Sequence, residues 1–173
     1  MGKTVVIDVS NFFPPLPVER EAKRRFLEKG GYLFFPAPSG TFSRLCQLHA
    51  RFDRVVFFAQ DWDDAFVRIH LIRWLKKQGL LTPGQESNVV VFRTPQKGIW
   101  CREHEVSAYV SDQWQHATAD VFRQSPQTLC CFLSSGKVVE SFVHQLWDSE
   151  TALSAGQICA TPTWADVFGL FPA

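Results

Sequence analysis

Val5-Val6-Ile7-Asp8-Val9-Ser10-Asn11 decides how the chain is read. An unbroken apolar run of this kind is the pattern of a parallel strand buried on both faces, and in open α/β sheets ligands bind beyond the carboxyl ends of such strands. A carboxylate that closes the run therefore stands where chemistry would occur. The same Asp8 is also well suited to capping the turn that follows, because Asp accepts hydrogen bonds from nearby backbone N–H groups. Pro14, Pro15 and Pro17 then hold the next stretch extended, since proline fixes φ and lacks a donor.

Outward from this strand, apolar runs recur at Tyr32 to Phe35, Arg54 to Ala59, Asn88 to Phe92, Ala108 to Val110, Leu129 to Leu133 and Ile158 to Ala160. Helix-length segments separate most of them: Val18 to Lys29, Gly40 to Arg51, Asp63 to Gln78, Ser111 to Arg123 and Val138 to Asp148, with Trp164 to Phe168 closing the chain. Ser39-Gly40-Thr41 offers capping residues, aspartates precede the third helix, and Gly79 stands where that helix should end. The alternation predicts a single-domain α/β protein, a three-layer α/β/α (Rossmann-like) arrangement with a mainly parallel central sheet, spanning 1–173. No repeat or linker divides the chain.

Composition narrows the function classes. Of 173 residues 46 % are hydrophobic and 20 % charged, which is ordinary for a globular core, and the aromatic share of 14 % leaves rings for a surface or a partner. A formal net charge of +1 supplies no global attraction to nucleic acid or acidic membranes. The basic run from Arg20 to Lys29, and Arg68, Arg73, Lys76 and Lys77, are interspersed with glutamate or spaced as a solvated helix face. Five scattered cysteines, two of them adjacent, do not form a disulfide framework and suit a reducing cytoplasm. No run has the length of a membrane span. Cys101-Arg102-Glu103-His104 has C-x-x-H spacing, but no second pair completes a zinc site.

Four predicted strand ends carry polar groups: Asp8, Ser10 and Asn11; Gln60, Asp61, Asp63 and Asp64; Arg93, Thr94 and Lys97 on a loop; and Ser111-Asp112. Parallel strands bring such ends together. Two carboxylates and a lysine there suit Mg²⁺ and a phosphate, since hard cations prefer carboxylate oxygens and an ammonium offsets phosphoryl charge.

The order of these motifs resembles the haloacid dehalogenase-like (HAD) superfamily. More narrowly, Gly31-Tyr32 through Pro38, Gly40, Leu45 and Leu48, and then Arg54 to Ala65 with Asp61-Trp62-Asp63, are similar to small HAD domains found beside RNA-repair enzymes. The resemblance implies Asp8 as nucleophile, Lys97 as the lysine steadying the phosphoryl group, and Asp8 with Asp112 as Mg²⁺ ligands. Asn11, Gln60 and Arg93 are then candidate substrate contacts, with a phosphorylated small molecule or a nucleic-acid end as substrate. Two departures stand out: Ser10 occupies the position of the family's general-acid aspartate, and Ala59 or Gln60 replaces the expected serine or threonine. Such a degenerate site implies slow catalysis, or a non-catalytic protein that binds a protein partner.

Asp8-Val9-Ser10-Asn11 is also similar to the opening of NYN-type, PIN-like ribonucleases, as are Leu71 through Gly79, Val91, Thr94-Pro95 and Tyr109 to Asp112. That resemblance implies metal-dependent RNA cleavage. It requires an acidic pair on a helix after Thr94-Pro95, where the chain offers only Glu103 and Glu105.

Overall fold

A computed structural model describes residues 2–9, 13–61, 63–94, 96–113, 119–133, 158–161 and 163–172. Its elements run β1 (Thr4–Asp8), α1 (Arg20–Glu28), α2 (Thr41–His49), β2 (Arg54–Gln60), α3 (Asp64–Lys77), β3 (Val89–Phe92), α4 (Lys97–Glu103), β4 (Ala108–Ser111), α5 (Ala119–Gln124), β5 (Leu129–Phe132), β6 (Ile158–Ala160) and α6 (Trp164–Leu170). The strands form one six-stranded sheet in the order β3-β2-β1-β4-β5-β6, every neighbouring pair parallel. This is the Rossmann-like α/β architecture, with β1 interior and Asp8 at its carboxyl end.

Strand order reverses between β1 and β4, and successive crossovers of one hand place the helices on opposite sides of that switch. Alternating side chains of the strands divide the core accordingly. Val5, Ile7, Val55, Phe57, Val110 and Cys131 meet α1, α2, α3 and α6 through residues such as Leu27, Leu48, Trp74 and Val167. Val6, Val56, Phe58, Tyr109 and Cys130 face α4 and α5 through Cys101, Val121 and Phe122. Asp8 shares the parity of Val6, so the carboxylate belongs to the α4/α5 side. Among the described residues no helix is long and apolar enough to cross a membrane.

Three local expectations are corrected. Tyr32 to Phe35 is not a strand: Gly31–Phe34 is a 3₁₀ turn entered through Gly30 at φ 69°, with Leu33 N–H donating to Gly30 and Phe35 N–H to Tyr32. A left-handed residue at that point reverses the chain, and Trp74 Nε1–H then donates to the Phe35 carbonyl at 3.0 Å. The segment holding Lys97 is a helix rather than a loop. Ser111 ends β4 instead of opening a helix, and Asp112 and Gln113 after it are not helical; among the described residues α5 runs from Ala119. The expected helix from Val138 to Asp148 lies outside the described residues. Gly79 closes α3 as anticipated, at φ 70° with its N–H on the Lys76 carbonyl.

Tyr32 anchors the 3₁₀ turn through its hydroxyl, 2.8 Å from Nδ1 of His70, and both rings are buried. Burial lowers the His70 pKa below its ordinary 6.5; the Arg73 charge lowers it further and Glu28 opposes it. Because the folded value is the lower one, the unfolded chain takes the proton first. Stability is therefore full above pH 6.5 and declines as pH falls through that value. The His70 share of this slope is expected to vanish in His70→Asn, read as melting temperature against pH from 8 to 5; an unchanged slope would remove His70 from the account.

Candidate active site

Asp8 is 2 % exposed and Lys97 5 % exposed, and the ammonium sits 2.7 Å from Oδ2 of the carboxylate. Tyr109, fully buried on β4, donates its hydroxyl to the same oxygen at 2.8 Å. A charged pair withdrawn from water persists only when hydrogen bonds replace the lost hydration; here two donors converge on one oxygen and hold the carboxylate in a single orientation. Burial raises the Tyr109 pKa well above the ordinary phenol value, and the Asp8 charge raises it further, so the phenol remains a donor.

Lys97 reaches Asp8 because α4 starts beside the carboxyl end of β1. Gly98 makes that approach possible: its N–H donates to Asp120 Oδ2 at 2.8 Å, and a Cβ at this position would lie 2.4 Å from the Asp120 carbonyl oxygen. Backbone cannot yield as a flexible side chain can. Gly98→Ala is expected to cost about 2 kcal/mol net, roughly 3 kcal/mol of overpacking less roughly 1 kcal/mol of helix propensity gained. Chemical denaturation measures it, and a neutral or stabilising result would contradict the close α4–α5 packing.

Asp112 follows β4 directly and is exposed. Partial burial raises its pKa, and the negative charge of Asp8 raises it further, so the two carboxylates sense each other across neighbouring strand ends. Mg²⁺ commonly binds one or two carboxylates, with water and substrate oxygens completing its octahedron. Asp8 and Asp112 fit that donor set; among the described residues no cluster of three or more His, Cys, Asp or Glu side chains exists to form a richer metal cage.

Other expected site residues fall differently. Gln60 closes β2 and is exposed. Arg93 is exposed beyond β3 and pairs with Asp64 at 3.2 Å. Ser10 and Asn11 lie outside the described residues. The acidic stretch after β2 is balanced by the chain's own cations: Lys23 pairs with Asp61, and Arg24 with Asp63 at 2.7 Å. Lys23 is thus a buried partner of the strand end, which corrects its placement on a solvated helix face. Repulsion of an anionic substrate by Asp61, Asp63 and Asp64 is correspondingly weakened.

Glu103 and Glu105 stand at the far end of α4, roughly 9 Å along the axis from Lys97 for six residues of helix. The chain then re-enters the sheet where Ser107 N–H donates to Thr4, at the start of β1. These two glutamates consequently lie toward the opposite end of the sheet from Asp8. Cys101 is buried between α4 and α5, whereas His104 is exposed and stacks on Trp100 at 3.8 Å, so the C-x-x-H pair does not converge. The adjacent Cys130 and Cys131 face opposite layers, as strand alternation requires.

Tyr109 is the site residue missed in the sequence. Tyr109 reads as one more apolar residue of a buried strand, yet a buried phenol requires a hydrogen-bond partner, and that requirement was the available signal. Comparison with known proteins adds no relative: no family model, curated protein or solved structure matches the chain.

Proposed function

We propose that the protein is a HAD-like, Mg²⁺-dependent phosphohydrolase or phosphotransferase with a reduced set of catalytic groups. The contact between Lys97 and Asp8 carries the reading: an interior-strand carboxylate and a lysine 89 residues away are brought together at the carboxyl end of the sheet. Asp8 attacks phosphorus, forming a phospho-aspartate as the ester oxygen departs with its electron pair; water then cleaves the acyl phosphate. Lys97 offsets charge on the phosphoryl oxygens. A Mg²⁺ ion held by Asp8 and Asp112 would supply further neutralisation of that charge.

Ser10 cannot protonate the departing oxygen as a carboxylic acid does, and general-acid catalysis typically contributes ~10²–10⁴ in rate. Alkyl phosphates are therefore poor substrates, and an activated aryl phosphate, whose phenolate leaves unprotonated, is the best surrogate. The test is release of p-nitrophenol from p-nitrophenyl phosphate with and without Mg²⁺, together with a search for phospho-aspartate at Asp8. Cleavage of single-stranded RNA without phospho-aspartate would replace this reading with the PIN-like one. A second reading, a non-catalytic HAD-like protein that binds a protein partner, is favoured by the 2 % exposure of Asp8 and by exposed Phe34 and Phe42; inactivity on both substrates, with no Mg²⁺-induced rise in melting temperature, selects it.

A further inference from the structure

We propose that the cleft between α2 and α6 binds a small organic anion, whose apolar tip enters the cleft while its carboxylate or phosphate head rests on Arg44. Buried Ile7, Leu45 and Leu48 form the floor; exposed Pro38 and half-buried Arg44 and Trp164 form the mouth. The volume is about 40 Å³. One water-sized group requires roughly 10–15 Å³, so the cleft admits about three, the size of a branched isopropyl tip.

Arg44 is the charged group of this cleft. The Thr41 hydroxyl on its wall donates to the Pro38 carbonyl at 2.7 Å. The Arg44 guanidinium lies 5.8 Å from the centroid of the Trp164 ring, and among the described residues no carboxylate pairs with it. Arg24 and Arg93, by contrast, are each committed to an aspartate. A ring face attracts the cation but does not occupy its N–H donors as a carboxylate would, so those donors serve solvent or a ligand. An apolar pocket with a single convergent charge is a common composition for small-molecule sites.

Placement agrees with this reading. Ile7 immediately precedes Asp8 on β1, and α2 ends where β2 begins at the amino edge, so the first turn of α2 stands at the carboxyl edge where open α/β sheets bind ligands. Ile7 and Asp8 project to opposite faces of the sheet. The cleft is therefore separate from the Asp8–Lys97 pair, and its role stands whether or not Asp8 transfers phosphoryl groups.

The test is an NMR titration with isovalerate, isobutylphosphonate and the neutral isoamyl alcohol, read at the Trp164 indole N–H, a signal assigned by its loss in Trp164→Leu. The better of the two acids is expected to bind in the millimolar range, the reach of so few atoms, and at least about tenfold more tightly than the alcohol, as a charge-assisted hydrogen bond requires. With the tip held constant, the tighter head distinguishes a carboxylate ligand from a phosphate one. Arg44→Met should remove the acid's advantage over the alcohol, and Arg44→Glu should reverse it toward isoamylamine; melting temperatures check both, and either variant carries the test should the other fold poorly. Acids that leave the Trp164 signal unmoved, acids that bind no better than the alcohol, or an advantage that survives in a folded variant overturns the assignment.

Discussion

Asp8→Asn is expected to abolish Mg²⁺-dependent hydrolysis of an aryl phosphate, a fall on the order of 10³-fold or more, because an amide oxygen cannot form the acyl phosphate. The substitution keeps an acceptor for Lys97 and Tyr109, now 2.7 and 2.8 Å from Oδ2, so the local geometry should survive. It also leaves a buried ammonium without its counter-charge. Breaking one side of a buried pair costs about 3–5 kcal/mol, and retention of both hydrogen bonds places this variant near the lower end. Typical domains have about 5–15 kcal/mol of stability, so most variant molecules remain folded at 25 °C. Activity per folded molecule, with the folded fraction taken from circular dichroism, separates lost chemistry from lost structure. Residual turnover above a few per cent of wild type would remove Asp8 from the nucleophile's role.

Lys97→Met is expected to be the most destabilising single change, about 3–5 kcal/mol, equivalent to a fall of roughly 10 °C in melting temperature for a chain of this size. Methionine fills much of the lysine stem's volume but supplies neither charge nor donor. Asp8, 2 % exposed, is left with Tyr109 as its remaining hydrogen-bond donor of the two described on Oδ2. Removing the second charge should reverse much of the loss: Asp8→Asn/Lys97→Met buries no ion, and Asn still accepts from Tyr109. The double-variant cycle is expected to be strongly non-additive, the pair being in direct contact. A loss within about 1 kcal/mol, the range of exposed ion pairs, would show that water reaches the pair and that the site is more open than its burial indicates.

The two experiments probe different properties of one contact. Asp8→Asn asks what the carboxylate does, and Lys97→Met asks what holding it there costs. An enzyme of the proposed kind answers both with large effects. A binding protein that keeps the pair for its fold alone answers only the second.

Local sequence determined the strand at Thr4–Asp8 and its burial, although the similar run at Tyr32 to Phe35 is a 3₁₀ turn. In Thr4–Asp8 the uninterrupted apolar run specifies a strand covered on both faces, all five residues are buried, and the carboxylate at its end emerges at the carboxyl edge of the sheet. Gly79 is an equally local signal, because its left-handed φ is open to glycine without steric cost. Tertiary structure decided the rest. Helix α4 spans only seven residues, contains a glycine, and is shorter than helices that persist on their own; it is fixed by its close approach to α5, through a Gly98–Asp120 contact between residues far apart in the chain. Lys97 was expected in the same cluster of strand ends as Asp8, but its direct pairing with the carboxylate, and the Tyr109 hydroxyl on the same oxygen, could not be read for the same reason. Lys97 and Tyr109 meet it across 89 and 101 residues, and their convergence depends on strand order, register and the face each side chain takes. Likewise the charges of Asp61 and Asp63 were legible, but their neutralisation by Lys23 and Arg24 follows only once α1 packs against the end of β2. Periodicity records what each segment buries; long-range pairing decides which polar groups share one buried, low-dielectric site.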